Sequence, residues 1–355
     1  MRLLHLYRPR LPGLRAQAIQ VVHTCHALAK LGFEVTLLAD RGGPEDAPAA
    51  LDLLGLEPHP GLDLRLAPTS HPPSAGVWFR AQLLRWWTGR PGVVLARDKR
   101  RLVAVLDKLP RRHRIVLETH ALDSALVAER GEDPAEALAL EGRCLAQADA
   151  LVANCGGTLA AWREAHGDRV PAEPIAVHNA TAPDRARAHA PPATPVLRYL
   201  GSLRPYKGLG TLLECATTLP ARLELIGGTD EERAHLPEGI HAQPPVPYAA
   251  VPDLLATASA LLLPLADNLF GRRFTSPLKL WDYLATGTPI VAADLPSVRE
   301  ILDLSGASAH LYSPDDPAAL AAAAETAIGS GSRPPHLRTW ADRARVLDPI
   351  LRGMA

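Results

Sequence analysis

Leu3-Leu-His-Leu-Tyr7, Ala16-Gln-Ala-Ile-Gln-Val-Val-His-Thr-Cys-His-Ala-Leu-Ala-Lys-Leu31 and Val35-Thr-Leu-Leu-Ala39 follow one another at the start of the chain and decide its fold class. The outer two are apolar runs of strand length. In the middle one, Ile19, Val22, His26 and Ala29 recur on one stripe at helical spacing, and Gly32 supplies a stop. Strand, helix and strand in that order form a βαβ unit, which implies a parallel sheet and an α/β protein.

The alternation continues to the far end. Val93 to Ala96, Ile115 to Glu118, Leu151 to Asn154 and Ile175 to His178 read as further strands of a first sheet. A Pro- and Ala-rich break, Ala182 to Pro195, interrupts the pattern. Strands then resume at Val196 to Leu200, Leu223 to Ile226, Ala260 to Pro264, Ile290 to Ala293 and Ala309 to Tyr312. Helices fall between them near Leu209 to Thr218, Tyr248 to Ala256, Pro277 to Thr286, Ser297 to Leu302 and Pro317 to Ile328. The expected architecture is two doubly wound, Rossmann-like domains, 1–183 and 184–335, followed by a helix in 336–355 that crosses back over the first domain. Ligands bind open parallel sheets beyond the carboxyl ends of the strands, so two facing sheets would enclose a cleft.

Composition narrows the function. The chain has 355 residues, 47% of them hydrophobic, enough for a large core in each of two domains. Lys plus Arg and Asp plus Glu number 38 each, so no global field recruits nucleic acid or an anionic membrane. Arg97, Lys99, Arg100, Arg101, Lys108, Arg111, Arg112 and Arg114 do crowd one stretch, read first as a solvated helix and charged turn, with an anionic acceptor or lipid headgroups as the alternative. Cys25, Cys144, Cys155 and Cys215 have neither metal-ligand spacing nor disulfide density, which suits buried thiols in a reducing compartment. No signal peptide or long apolar run occurs, so a cytoplasmic protein is expected. Pro68 to Arg90, with Trp78, Trp86 and Trp87, reads as an aromatic core segment or as an amphipathic helix touching the inner face of the membrane.

Phe274-Thr-Ser-Pro-Leu-Lys-Leu-Trp-Asp-Tyr-Leu-Ala-Thr-Gly-Thr-Pro-Ile-Val-Ala-Ala-Asp294 concentrates the chemistry. Ser276 suits a helix N-cap and Pro277 the first helical position, leaving the amides of Leu278, Lys279 and Leu280 to point outward at an anion such as phosphate. Asp282 lies six residues beyond the cap, roughly 9 Å along the axis at about 1.5 Å per residue, where it could meet a sugar hydroxyl. A capped structural helix with a solvated carboxylate is the plain alternative.

Three stretches carry a family resemblance. Tyr199-Leu-Gly-Ser-Leu-Arg-Pro-Tyr-Lys-Gly208, Leu223-Glu-Leu-Ile-Gly-Gly228 and Ser276 to Val291 resemble, in order and spacing, the donor-domain signatures of the retaining glycosyltransferases of family 4, which have the GT-B fold. Arg15 to Val35 looks like the opening loop, helix and strand of that family, Glu118-Thr-His120 like its histidine loop, and His178-Asn179 like the end of its acceptor domain. The resemblance implies transfer of a sugar from a nucleotide diphosphate sugar, UDP- or GDP-linked, to a hydroxyl of a saccharide, lipid or small molecule, with retention and without metal or other cofactor. It also implies the roles. Lys207, with Arg204, would stabilise the departing diphosphate, and His120 would touch a hydroxyl of the transferred sugar. Gly13, Gly201, Ser202, Gly227, Ser276, Pro277, Leu278, Lys279 and Leu280 would line the donor, and Asp282 would accept from ribose hydroxyls. Val246 to Val251 would lie beside the base.

Two positions depart from the family pattern. Phe274 stands where a glutamate is usual, and Ser202 where an arginine is usual. They keep open a catalytically dead sugar-nucleotide binder, and a GT-B epimerase or phosphorylase is a further alternative. A dinucleotide-dependent dehydrogenase is disfavoured, because no Gly-x-Gly-x-x-Gly turn follows an expected strand.

Overall fold

The structure, a computed structural model, describes residues 1–13, 15–204, 207–330 and 337–354. Leu14 of the first loop, Pro205 and Tyr206 of the lysine loop, and 331–336 of the expected linker and closing helix lie outside the described residues. The chain forms two compact units, Met1–His178 with Trp340–Ala355, and Asn179–Thr339. The units thus divide five residues before the boundary drawn from sequence, because Asn179, Thr181 and Arg185 are hydrogen-bonded into the second unit.

The first unit has eight parallel strands: β1 (Arg2–Leu6), β2 (Arg10–Leu11), β3 (Glu34–Arg41), β4 (Leu62–Leu66), β5 (Val93–Ala96), β6 (Arg114–Thr119), β7 (Ala150–Ala153) and β8 (Ile175–Ala176). Their order is β2-β3-β1-β5-β6-β7-β8, with β4 also on β3. Leu3 of β1 sits opposite Val35 on one side and Val93 on the other. The order reverses between β1 and β5, the point at which loops diverge and leave room for a ligand.

Sequence periodicity predicts one apolar stripe on the first helix, but in the helix Ala16–Lys30 every residue from Ala18 to Ala29 is buried. The sheet covers one face, and the closing helix Trp340–Arg352 packs against it as well, with Trp340 stacked on His23 at 5.3 Å between ring centroids. Trp86 and Trp87 end the helix Pro72–Trp87 inside the core, where Trp87 donates to the Pro110 carbonyl at 3.1 Å. Those two tryptophans are therefore core. Four of the crowded cations nearby are ion-paired: Lys99 with Asp123, Arg100 with Glu136, Arg101 with Asp98, and Arg111 with Asp149. The four cysteines are buried free thiols. Among the described residues no helix is long and apolar enough to cross a membrane.

The second unit contains β9 (Val196–Leu200), β10 (Arg222–Ile226), β11 (Ala242–Gln243), β12 (Ala260–Leu263), β13 (Ile290–Ala293) and β14 (His310–Tyr312). All pair in parallel, in the order β11-β10-β9-β12-β13-β14, and the reversal lies between β9 and β12. Apolar strands such as Ala260-Leu-Leu-Leu263 and Ile290-Val-Ala-Ala293 are buried throughout, as expected of a sheet covered on both faces.

Candidate active site

Among the described residues each unit carries a cluster of charged and polar side chains beside the strand reversal of its sheet. In the first unit the cluster is built on β1, β5 and β6. Glu118, near the end of β6, is buried after the apolar run Ile115-Val-Leu117, and its Oε1 has three polar neighbours. These are Gln20 Nε2 at 3.1 Å, His120 Nε2 at 3.1 Å and Arg343 Nη2 at 2.6 Å. His5 Nε2 lies 3.3 Å from Oε2. Burial works to raise the Glu118 pKa, but the hydrogen bonds from His120 and His5 and the charge of Arg343 hold it well below the ordinary carboxylate range.

His120 is half-buried just past β6. Burial, together with the Arg97 charge, brings its pKa down to about 4 against the pull of Glu118, so the ring is neutral at physiological pH. Arg97 extends the cluster from the end of β5: its guanidinium lies over the Tyr7 ring, 4.8 Å from the centroid, and donates to Gln20 Oε1. Gly13 lies in the loop after β2, where a Cβ would come 2.5 Å from the Arg10 carbonyl oxygen.

In the second unit the charge of one lysine is felt by another. Lys279 is half-buried, with Nζ 3.9 Å from the centroid of Tyr199 on β9. Lys207 follows β9, with Nζ 5.1 Å from the Phe270 centroid. Burial first, then the neighbouring Lys207 charge, depresses the Lys279 pKa far below the ordinary value; burial and Arg204 depress that of Lys207. Two cations brought together at the cost of their own solvation make a place for a polyanion. Among the described residues no carboxylate pairs with Lys279. Gly201 has φ 139°, and a Cβ there would come within 2.7 Å of Lys279 Nζ; Gly227, at φ 126°, would put a Cβ 2.2 Å from the Gly201 carbonyl oxygen. Both glycines are thus required where the β9 loop, the β10 loop and the lysine close on one another.

Other expected donor residues are placed differently. Ser276 does not cap the helix, which spans Leu278–Leu284 with Pro277 at the N-cap. Its Oγ instead accepts from the Asn179 amide at 3.2 Å and from Trp281 Nε1 at 3.4 Å. The Leu280 amide is occupied by the Pro277 carbonyl at 3.0 Å, so it does not point at an anion. Asp282 is not a solvated or open carboxylate: it is buried, and Oδ1 accepts from Thr181 Oγ1 at 2.9 Å and Arg185 Nε at 3.0 Å. Arg185 also lies over the Tyr248 ring, 3.7 Å from its centroid, which ties 246–251 to the same knot. Burial raises the Asp282 pKa, only partly opposed by Arg185 and Thr181. Arg204 donates to Glu232 Oε1 at 2.9 Å, so its charge is shared with that carboxylate. The Ser202 carbonyl accepts from Tyr199 Oη at 2.6 Å. Phe274 is buried in the π-helical turn Phe270–Phe274, a position with no room for a solvated glutamate.

Two family models divide the chain between them: "Glycosyltransferase Family 4" matches residues 17–185 and "Glycosyl transferases group 1" matches residues 194–330. The chain belongs to the family 4 glycosyltransferases. The glycosyltransferase is 26% identical to D-inositol 3-phosphate glycosyltransferase 1 of Catenulispora acidiphila, over 91% of this chain and 84% of that one. Among solved structures it is similar to sucrose-phosphate synthase from Thermosynechococcus elongatus, with a TM-score of 0.71 and 16% identity over 99% of this chain and 96% of that one. It is also similar to Anabaena HepE in complex with UDP-glucose, with a TM-score of 0.65 and 15% identity over 100% of this chain and 97% of that one. These likenesses establish the GT-B fold.

The Lys279 side chain reads in sequence as a buried-looking cation at an apolar helix start, and the structure sets it half-buried over the Tyr199 ring. Other members of the clusters went unrecognised in sequence. Glu118 was read as a strand end; a carboxylate within an apolar run, followed at two residues by His120, marks a buried charge needing partners. Nothing in the sequence connects Arg343 to either.

Proposed function

We propose that the glycosyltransferase moves a sugar, with retention and without metal, from a UDP- or GDP-sugar to an acceptor hydroxyl. The observation that carries this reading is Lys279, half-buried against Gly201 and Tyr199 and within the field of Lys207, in the second unit. As the anomeric bond breaks, negative charge grows on the departing diphosphate, and fixed cations there lower the barrier. Two ammonium groups supply the neutralisation that a divalent ion would otherwise bring, which supports metal-independent transfer. HepE, with the same fold, binds UDP-glucose, in keeping with a nucleotide-sugar donor.

Retention is supported by the weak basicity of the carboxylates and the histidine in the two described clusters. Glu118 is held ionised by three donors and is a weak proton acceptor, and Asp282 is knotted to Thr181 and Arg185. His120, with a pKa of about 4, suits hydrogen bonding to a sugar hydroxyl better than proton abstraction. A front-face attack, in which a donor phosphate oxygen takes the acceptor proton, requires no enzymic base. Incubation with UDP-, GDP-, ADP- and dTDP-sugars, with mass spectrometry for released nucleotide and for the anomeric configuration of the product, tests the reading. Turnover that needs added divalent metal, or a product of inverted configuration, would contradict it.

A further inference from the structure

We propose that Arg343, carried by the closing helix, is a positioning residue for His120: by fixing Glu118 as an acceptor it holds the ring as the Nε2–H tautomer and turns Nδ1 toward the substrate as an acceptor of a hydroxyl proton. The proposal rests on the reading of His120 as a sugar contact.

The geometry is that of a fully engaged guanidinium. Arg343 is 1% exposed, and Nη2 donates to Glu118 Oε1 at 2.6 Å, Nε to Thr24 Oγ1 at 3.1 Å, and Nη1 to the carbonyls of His178, at 2.8 Å, and Val177. The planar fork meets acceptors on the first helix, on β6 and in the segment after β8 at once, which a lysine cannot do. Glu118 Oε1 receives this charge together with the protons of Gln20 and His120. Glu118 Oε1 already accepts from Gln20 and from the Arg343 guanidinium, which keeps the carboxylate ionised, so His120 Nε2 must be the donor to it, and in a neutral ring Nδ1 then has the lone pair. The groups around His120 are Glu118, Arg97, Arg343 and, across Glu118, His5; the two guanidiniums oppose a second proton on the ring.

Without Arg343 the buried Glu118 loses its charged partner, and burial favours its protonated form. A carboxylic acid beside His120 can donate to Nε2, which reverses the hydrogen bond and moves the ring proton to Nδ1. The substrate hydroxyl then meets a donor where it met an acceptor.

The test uses full-length protein labelled with 15N-histidine, as wild type and as the Arg343→Met and Arg343→Lys variants, with thermal unfolding to confirm that each folds. Long-range 1H–15N spectra at neutral pH, assigned with His120→Ala, read the tautomer. The expected result is Nε2–H in the wild type and Nδ1–H or a mixture in Arg343→Met, with Arg343→Lys closer to the wild type. Turnover of the accepted nucleotide sugar should fall roughly tenfold in Arg343→Met, about what one lost substrate hydrogen bond costs, and the fall should vanish in a His120→Ala background. A wild-type ring protonated at Nδ1 overturns the proposal with no variant needed. So does an unchanged tautomer in folded Arg343→Met. Unchanged turnover in His120→Ala would instead sink the sugar-contact reading, while the tautomer result would still decide the positioning.

Discussion

Replacing Asp282 by alanine should destabilise the second unit before it alters nucleotide recognition. The carboxylate is buried and holds Arg185, itself 6% exposed at its side chain, and Thr181. Its pKa is raised, so burial outweighs the attraction to Arg185, and the pair is not a large net source of stability. Removing one partner is a different matter, because it leaves the Arg185 cation buried and uncompensated. Such deletions cost about 3–5 kcal/mol, and the weak net pairing here points to the lower end, near ~3 kcal/mol. For a unit of the size of Asn179–Thr339, at about 2–4 °C per kcal/mol, the melting temperature should drop by roughly 6–12 °C. Thermal unfolding of the whole chain, followed by calorimetry, measures this. Asp282→Leu combined with Arg185→Met should recover most of the loss, since an apolar pair can replace a buried ion pair at little cost. An exposed ribose-binding carboxylate would behave otherwise, with stability changed by less than about 0.5 kcal/mol and a raised KM for the donor. An unshifted melting temperature in Asp282→Ala would refute the anchoring role.

Lys207→Ala should lower kcat by roughly 10²–10³, as when another charge-stabilising group is removed, with little change in unfolding midpoint; unchanged turnover would mean the diphosphate lies elsewhere. Because burial and Lys207 hold the Lys279 pKa far down, a bound diphosphate should raise it, so nucleotide binding should take up protons. Calorimetry in buffers of different ionisation enthalpy reads that uptake, and Lys279→Met should abolish it; no uptake by the wild type would contradict the placement. The first unit should lose stability in acid for two reasons of the same sign. The unfolded His120 ring binds a proton near 6.5 and the folded one not until about 4, so stability falls as pH drops through that window. Glu118, depressed below its usual 4.5, contributes stability above that value that is lost as pH falls through its folded pKa. Urea midpoints from about pH 7 to about pH 3 should decline accordingly, and less steeply in His120→Ala; equal slopes would refute the assignment.

Much of the fold was legible because parallel strands buried on both faces write themselves as short apolar runs. Val93–Ala96, Val196–Leu200 and Ile290–Ala293 appear where periodicity places them. The two-residue strands β2 and β11 were not visible, since so few residues carry no periodicity. The stripe Ile19, Val22, His26 and Ala29 is buried as its spacing predicts, but the burial of the rest of Ala18–Ala29 was not legible, because the helix that covers the other side comes from the far end of the chain.

The sequence by itself determined the α/β class, the two-unit plan and the family, because each is written in local pattern and in motif order along the chain. It also marked His120, directly after β6, and Lys207, in the loop that follows β9. Only the tertiary structure decided what their partners are. Ser276 looked like a cap and Asp282 like an open carboxylate, yet Asn179, Thr181 and Arg185, about a hundred residues away, claim both. Glu118 and Arg343 are 225 residues apart and meet in the core. A local pattern records whether a side chain is apolar or charged and which face it takes; the group that compensates a buried charge is supplied by whatever the fold brings against it.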